Sequence, residues 1–230
     1  MIYIIGDSHV SVFSGVEKTV NGNRHIQPEF GTCYTLSEGQ LRPSISPFEQ
    51  KIPFFCAIRI GAHTAYNSFG KINKIEKVIS EYNITENDYV VLSFGEIDIR
   101  HHIGFQAEKQ KISLIESIQK CVNEYMKTIL YLKNKKLNIS VYGPPASSIG
   151  SRNDYKDIVT RNRMTIHFTN ILKTMCDKEG ITFFSIAKKM ILPDWTTDKK
   201  YIMDDIHLSQ KAMPLLQEEF KDIIILDSKL

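Results

Sequence analysis

Three residues that could serve as nucleophile, base and acid lie at the two ends of the sequence. Ser8 follows the first apolar run, in YIIGDSHV, and Asp204 and His207 lie three residues apart in DDIHLS. A serine hydroxyl is a weak nucleophile until a neighbouring base removes its proton, and that base needs an orienting carboxylate. A single turn can bring a carboxylate and an imidazole three residues apart together. The residues therefore predict a Ser8–His207–Asp204 catalytic triad.

The same opening stretch permits a different chemistry, because Asp7 and His9 have the spacing of metal ligands. An Asp-x-His pair after a first strand resembles the opening of the metallophosphoesterases, and GEIDIR at 95–100 resembles that family's second motif. The later ligand blocks of that family do not occur in the sequence, which leaves too few ligands for a two-metal site. A metal-dependent phosphoesterase using Asp7 and His9 is therefore the alternative to the serine enzyme.

Short apolar runs that alternate with helical patterns must position these side chains. Five runs are typical of buried parallel strands: 1–5, 54–60, 89–94, 139–142 and 181–186. Apolar residues recur at helical spacing between 115 and 132, and a second helical pattern runs from about 154 to Gly180, a residue that favours a helix C-terminus. Strands alternating with helices predict a three-layer α/β/α fold with a five-stranded parallel sheet.

Four of the predicted strand ends continue into glycine followed by polar or turn residues. These segments are 6–9, 61–63, 95–102 and 143–146. Ligands on open parallel sheets bind beyond the carboxyl ends of the strands, so we expect the four segments to meet along one edge. The sequence therefore predicts an active site at that edge.

Length, charge and loop composition set the domain organisation. A chain of 230 residues suits one domain spanning 1–230. The stretch from about 10 to 53 has no clear period and is rich in Gly, Pro, Ser and Thr, so we interpret it as a long insertion beside the site. The net charge of +3 is small, and the basic cluster at 133–136 closes a predicted helix. We therefore predict no nucleic-acid partner.

Segment composition also bears on location and cofactors. No apolar run reaches the ~18–20 residues needed to cross a bilayer, and the first residues lead into a strand without the basic segment of a signal peptide. The four cysteines, at 33, 56, 121 and 176, form no Cys-x-x-Cys pair. We therefore expect a cytoplasmic protein with no membrane span, no cofactor and no metal site. The sequence does not predict the oligomeric state.

The motifs resemble those of the SGNH hydrolases, also called GDSL-type esterases. The Gly-Asp-Ser at 6–8 is similar to the family's first block, Gly61 in RIGAHTAYN to its glycine block, and Asp204 with His207 to its last block. The blocks come in the family's order and span nearly the whole chain. The resemblance implies a flavodoxin-like winding of the sheet and an oxyanion hole that includes the backbone N–H groups of Ser8 and Gly61.

The third block departs from the family's pattern. That motif, Gly-x-Asn-Asp, supplies an Asn side chain to the oxyanion, whereas FGEIDIRHH places Ile97 at the Asn position. Isoleucine cannot donate a hydrogen bond, and losing one oxyanion donor can cost on the order of a hundredfold in rate. Four nearby side chains are candidates to replace the missing Asn: Arg100, His101, His63 and Asn67. Of these we favour Arg100, which is permanently charged and two residues past Asp98.

Further polar residues at the same edge are predicted to bind substrate: Glu96, Asp98, His63 and Asn67. Glu96, Asp98 and Arg100 are equally compatible with a structural ion-pair network. Acidic and guanidinium groups hydrogen-bond sugar hydroxyls well, whereas a long acyl chain would require an apolar groove. We therefore predict an esterase or O-acyltransferase that acts on a small acyl group, acetyl, of a glycan or glycan precursor. A carbohydrate-binding module that has lost catalysis is a third possibility, with Ile97 as its support.

Overall fold

The computed structural model describes residues 2–14, 19–20, 24–25, 33–35, 55–148, 150 and 154–225. Most of the predicted insertion at about 10–53 lies outside the described residues. A single domain therefore stays a prediction for the chain as a whole.

A six-stranded sheet lies at the centre of the described fold, with the order β4-β5-β1-β6-β7-β8. The strands are β1 (Ile2–Gly6), β2 (Thr19–Val20), β3 (Arg24–His25), β4 (Cys33–Thr35), β5 (Phe55–Arg59), β6 (Tyr89–Ser93), β7 (Asn138–Tyr142) and β8 (Thr182–Phe184). β2 and β3 pair with each other in a separate antiparallel ribbon.

The five predicted strands are confirmed as parallel neighbours, β5-β1-β6-β7-β8. Numbered along the chain these five have the order 2-1-3-4-5, which is the flavodoxin-like winding. β4 adds a sixth strand, antiparallel to β5, at one edge. The sequence pattern did not reveal β4, because it has only three residues and lies in the stretch without a clear period.

Helices cover both faces of the sheet. In the described residues they are α1 (Ile72–Glu81), α2 (Ile103–Gln110), α3 (Leu114–Asn134), α4 (Ile158–Lys178), α5 (Ala187–Met190) and α6 (Met213–Ile225). The two longest begin at N-cap side chains: Ser113 accepts a hydrogen bond from the Glu116 backbone N–H, and Asp157 accepts one from that of Thr160. Past the end of α4, Gly180 has a φ of +61°, as the predicted helix end requires.

Alternating strand residues build two apolar cores, because successive side chains of a strand point to opposite faces. On β1, Tyr3 and Ile5 pack with α1, α3 and α4, whereas Ile2 and Ile4 pack with the turn after β1 and with α6. Burial of both faces explains why the strands are continuous apolar runs.

Close pairing at the end of β1 sets the geometry of the predicted site. Gly6 lies between Arg59 of β5 and Ser93 of β6, and a Cβ at position 6 would come within 2.1 Å of the Ser93 carbonyl oxygen. Only glycine fits there. The Ile60 N–H donates to the Gly6 carbonyl at 2.9 Å, which aligns the loops after β1 and β5.

No helix in the described part of the chain is long and apolar enough to cross a membrane. Cys121 and Cys176 are free and buried in the core, whereas Cys56 on β5 is disulfide-bonded. Disulfides persist mainly in oxidising compartments, so the cysteines do not support the expectation of a reducing cytoplasm.

Candidate active site

Ser8, His207 and Asp204 lie in one chain of hydrogen bonds at the carboxyl edge of the sheet. Ser8 begins a 3₁₀ turn, Ser8–Ser14, directly after β1. Its Oγ lies 3.0 Å from Nε2 of His207, and Nδ1 of His207 lies 2.8 Å from Oδ2 of Asp204. The structure thus brings together the three residues that the sequence predicted to form a triad. Their catalytic role stays a prediction.

The Asp204 carboxylate organises the turn that carries His207. Its Oδ1 accepts hydrogen bonds from the backbone N–H groups of Ile206, at 2.7 Å, and His207, at 2.6 Å. Partial burial favours a raised pKa for Asp204, but the hydrogen bonds from the ring and backbone of His207 outweigh it and hold that pKa well below its usual range. An ionised Asp204 accepts the Nδ1 proton of His207, so Nε2 presents a lone pair to Ser8.

Neighbouring loops hold this turn in place against the sheet. The Asp205 carbonyl accepts hydrogen bonds from the Ser148 hydroxyl and, at 3.1 Å, from the Gly150 N–H, both in the loop after β7. On the other side, Nε2 of Gln210 donates to the Val12 carbonyl in the turn after β1, at 2.8 Å. The His207 turn is therefore fixed to two of the strand-end loops that the sequence placed at one edge.

Two backbone N–H groups near Ser8 are available to an acceptor. Gly61 has a φ of +90°, which a residue with a side chain rarely adopts, and a Cβ there would meet nothing within 4 Å. Among the hydrogen bonds of the described residues, none uses the N–H of Ser8 or of Gly61. These are the two groups that the sequence predicted for an oxyanion hole.

The structure does not support Arg100 as the replacement for the missing Asn. Its Nε and Nη2 donate to the Glu96 carboxylate at 2.6 and 3.2 Å, and its Nη1 lies 3.5 Å from Oδ1 of Asp154 and 2.7 Å from Nε2 of His101. No hydrogen bond joins Arg100 to Ser8 in the described part of the chain. Two carboxylates hold the guanidinium inside the protein, so the oxyanion role of Arg100 stays a prediction that these contacts do not favour.

Glu96 and Asp98 also have structural partners rather than the predicted open contacts. Glu96 is 4% exposed and holds Arg100, whereas Asp98 is fully buried. Asp98 accepts hydrogen bonds from the backbone N–H groups of Ala65, at 2.6 Å, and Tyr66, at 3.2 Å. Burial raises the pKa of Asp98 to about 6, although these hydrogen bonds oppose the shift. Asp98 therefore fixes the loop that follows Gly61, and the substrate-binding role predicted for both acids is not supported.

The other two predicted substrate residues lie on that same loop and differ in access. His63 is 1% exposed, its ring centroid lies 5.6 Å from that of Phe94, and burial, assisted by two lysines, lowers its pKa to about 4. Asn67 is exposed and borders a cavity of about 230 Å³. The structure thus leaves Asn67 accessible and encloses His63.

Asp7 and His9, the candidate metal ligands, contact each other. The His9 N–H donates to Oδ1 of Asp7 at 2.9 Å, and Nδ1 of His9 lies 3.2 Å from the same oxygen. In the part of the chain that the structure describes, no three His, Cys, Asp or Glu side chains are grouped so that they could hold a metal ion. The position of His9 beside the triad was not predicted, because its partner is a backbone carbonyl 197 residues away.

Comparison with known proteins points to one fold. No protein-family model matches the sequence, and no curated protein matches it significantly. Among solved structures, a GDSL-like lipase from Bacteroides thetaiotaomicron is similar with a TM-score of 0.60 and 10% identity, over 100% of this chain and 88% of that one. A lipase/acylhydrolase from Enterococcus faecalis has a TM-score of 0.54 and 14% identity, over 97% and 94%.

An acetylxylan esterase from Geobacillus stearothermophilus, Axe2, is similar with a TM-score of 0.57 and 14% identity, over 97% of this chain and 93% of that one. The solved forms of Axe2 include two that are described as catalytic mutants, one with a serine and one with a histidine replaced by alanine. At these identities the likeness concerns the fold alone. The chain has the fold of the SGNH hydrolases, which its sequence motifs had indicated.

Proposed function

We propose that this protein is a serine hydrolase that cleaves carboxylic esters. The observation that carries the proposal is the hydrogen-bond chain from Ser8 Oγ through the His207 ring to Asp204. This chain of hydrogen bonds lies at the carboxyl edge of the sheet, where ligands bind in open α/β folds. The structurally similar proteins include esterases, lipases and acylhydrolases, which agrees with this chemistry.

The proposed reaction begins with a proton transfer. Nε2 of His207 takes the proton of the Ser8 hydroxyl as Oγ attacks the ester carbonyl, and Asp204 stabilises the imidazolium that forms. His207 then gives the proton to the leaving alcohol, which leaves an acyl group on Ser8. Water, deprotonated by His207, hydrolyses that acyl-enzyme and restores the serine.

Backbone groups supply the proposed oxyanion hole. The N–H groups of Ser8 and Gly61 lie on the adjacent loops after β1 and β5, and neither is used within the described protein. Fixed backbone dipoles need no reorganisation when negative charge develops on the carbonyl oxygen. With Ile97 at the family's Asn position, we propose that these two donors act without a third from that block.

We propose a small acyl group, acetyl, on a glycan or glycan precursor as the substrate. Two of the structurally similar proteins are acetyl xylan esterases, and Asn67 is an exposed polar side chain on the loop after Gly61. The same acyl-enzyme would serve an O-acyltransferase, in which a sugar hydroxyl replaces water. The cytoplasmic location predicted from sequence stays a prediction, and the disulfide at Cys56 weighs against it.

The test compares p-nitrophenyl acetate with butyrate and octanoate esters, and then acetylated xylooligosaccharides, in the wild type and Ser8→Ala. We expect acetate release that Ser8→Ala abolishes, with a melting temperature within about 2 °C of the wild type. A fluorophosphonate should label Ser8 in the presence of a chelator. Chelator-sensitive phosphatase activity without labelling would favour the metal enzyme, and inactivity in every assay would favour the binding module.

A further inference from the structure

Both ring nitrogens of His9 face hydrogen-bond acceptors. Nδ1 lies 3.2 Å from the Asp7 carboxylate, and Nε2 lies 3.2 Å from the backbone carbonyl oxygen of Ile206. A neutral imidazole has only one N–H, so it can satisfy only one of these acceptors. The ring can donate to both acceptors only when both of its nitrogens are protonated.

The charges around His9 favour the same protonation state. The His9 side chain is 2% exposed, and Oε2 of Glu96 lies 3.9 Å from its Nδ1, in addition to Asp7. Burial favours a lower pKa, but the Glu96 and Asp7 carboxylates outweigh it and raise the pKa of His9 to about 9. The third titratable group that faces His9 is His207, whose ring centroid is 5.5 Å away.

The carbonyl that His9 holds belongs to the peptide unit that carries His207. On the other side of that unit, the His207 N–H donates to Oδ1 of Asp204 at 2.6 Å. The Ile206–His207 peptide thus lies between a cation at its carbonyl and a carboxylate at its N–H, which matches both ends of the peptide dipole. A rotation of this peptide would move the His207 ring away from Ser8.

We propose that His9 is a positioning residue for the triad: as an imidazolium it fixes the Ile206–His207 peptide and thereby aims Nε2 of His207 at Ser8. Nothing in the serine chemistry itself uses His9, which has no contact with Ser8 Oγ among the hydrogen bonds of the described residues. The proposal deepens the proposed function and depends on it for its kinetic consequences. Misplacement of a catalytic group by about 1 Å can lower a rate on the order of a hundredfold.

Two variants of similar size separate positioning from simple core filling. In His9→Gln, the side-chain amide can still donate to the Ile206 carbonyl, whereas His9→Leu fills the space without any donor. We expect kcat for p-nitrophenyl acetate to fall on the order of a hundredfold in His9→Leu with KM nearly unchanged. We expect His9→Gln to keep most of the activity and, unlike the wild type, to show no loss of kcat as the pH rises through about 9.

Asp7→Asn combined with His9→Leu controls for the carboxylate that the substitution leaves without the cation it contacts, because Glu96 still has Arg100. We expect the double variant to regain stability in urea unfolding and to keep the low kcat. Recovery of kcat together with stability would show that His9 only neutralises Asp7 and would overturn the proposal. Wild-type kcat in His9→Leu would also overturn it.

A measurement that needs no activity distinguishes failure of this proposal from failure of the proposed function. Ring ¹⁵N spectra at pH 7 should show both nitrogens of His9 protonated and His207 fixed with its proton on Nδ1. In His9→Leu, the His207 signals should lose that fixed tautomer. A neutral His9, or an unchanged His207 tautomer in His9→Leu, would overturn the proposal. An inactive wild type with the expected spectra would instead refute the esterase.

Discussion

Replacing Asp204 by Asn should stop the proposed reaction and leave the fold almost intact. Oδ1 of Asp204 accepts two backbone hydrogen bonds and Oδ2 faces Nδ1 of His207. Asn keeps one oxygen for the backbone bonds but places an NH₂ group where Oδ2 was. That NH₂ donates to Nδ1, so the His207 proton moves to Nε2 and the ring can no longer accept the Ser8 proton.

The size of the effect follows from these contacts. The equivalent change in a well-studied serine protease triad lowers kcat about 10⁴-fold through the wrong tautomer, and we expect a loss on the order of 10³–10⁴ here. Asp204→Ala removes both backbone bonds as well. At about 1.5 kcal/mol for each hydrogen bond to a charged group, it should cost about 3 kcal/mol of unfolding free energy. For a chain of this size that is a fall of about 6–12 °C in melting temperature.

The assay measures acetate-ester hydrolysis and thermal unfolding for Asp204→Asn, Asp204→Ala and the matched control Asp205→Asn. Asp205 is the exposed neighbour, and its side chain makes no hydrogen bond among those of the described residues, so its change should leave both quantities close to the wild type. If Asp204→Asn retained a tenth or more of the wild-type kcat, Asp204 would not orient the base. Equal loss of stability in the Asn and Ala variants would refute the two-part role of the carboxylate.

Three other changes test the loop that follows β6. If a side chain at position 97 can reach the oxyanion, kcat of Ile97→Asn should exceed that of the matched Ile97→Leu by up to about a hundredfold. Equal kcat values in the two variants would show that position 97 does not reach the oxyanion. Arg100→Met should cost about 3–5 kcal/mol in urea unfolding, because it leaves the buried Glu96 charge without its partner, and adding Glu96→Gln should recover most of that loss. The pKa of Asp98 is raised in the folded state, so its stabilisation is present below about pH 4 and lost as the pH rises through about 6. Wild-type stability relative to Asp98→Asn should therefore fall by roughly 2 kcal/mol between pH 4 and 7, and a rise would refute the buried carboxylic acid.

The features that depend on neighbouring residues in the sequence could be predicted. The apolar runs predicted the five parallel strands because both faces of the sheet are buried. Ser8 directly follows the first of these strands, so it lies at the carboxyl edge, where ligands bind in such sheets. The spacing of three residues between Asp204 and His207 predicts their pairing, because a single turn brings the two side chains together. The contact between His207 and Ser8, which are 199 residues apart, could be predicted only with the help of the resemblance to the motifs of the SGNH hydrolases.

Partners supplied by distant segments could not be predicted. Asp98 looks like a free acid in the sequence, but the N–H groups that bind it belong to residues 32 and 33 positions away. Arg100 has Glu96 four residues before it, a spacing that favours a helical ion pair, and that signal could have been weighed against an oxyanion role. Asp154, its second partner, precedes α4 and has no sequence relation to it.

The loop at 95–102 supports the structure of the proposed site and supplies no oxyanion donor at Ile97. Ile97 offers no donor, yet the residues around it fix each of the loops on which the proposed site depends. Asp98 holds the backbone that follows Gly61, and Glu96 joins Arg100 while facing His9, whose second nitrogen holds the His207 turn. A charged side chain that is held by such partners is not free to stabilise negative charge that develops on a substrate. For the proposed reaction we therefore expect the oxyanion to be stabilised by groups that the network positions, and the unused N–H groups of Ser8 and Gly61 are the ones it leaves available.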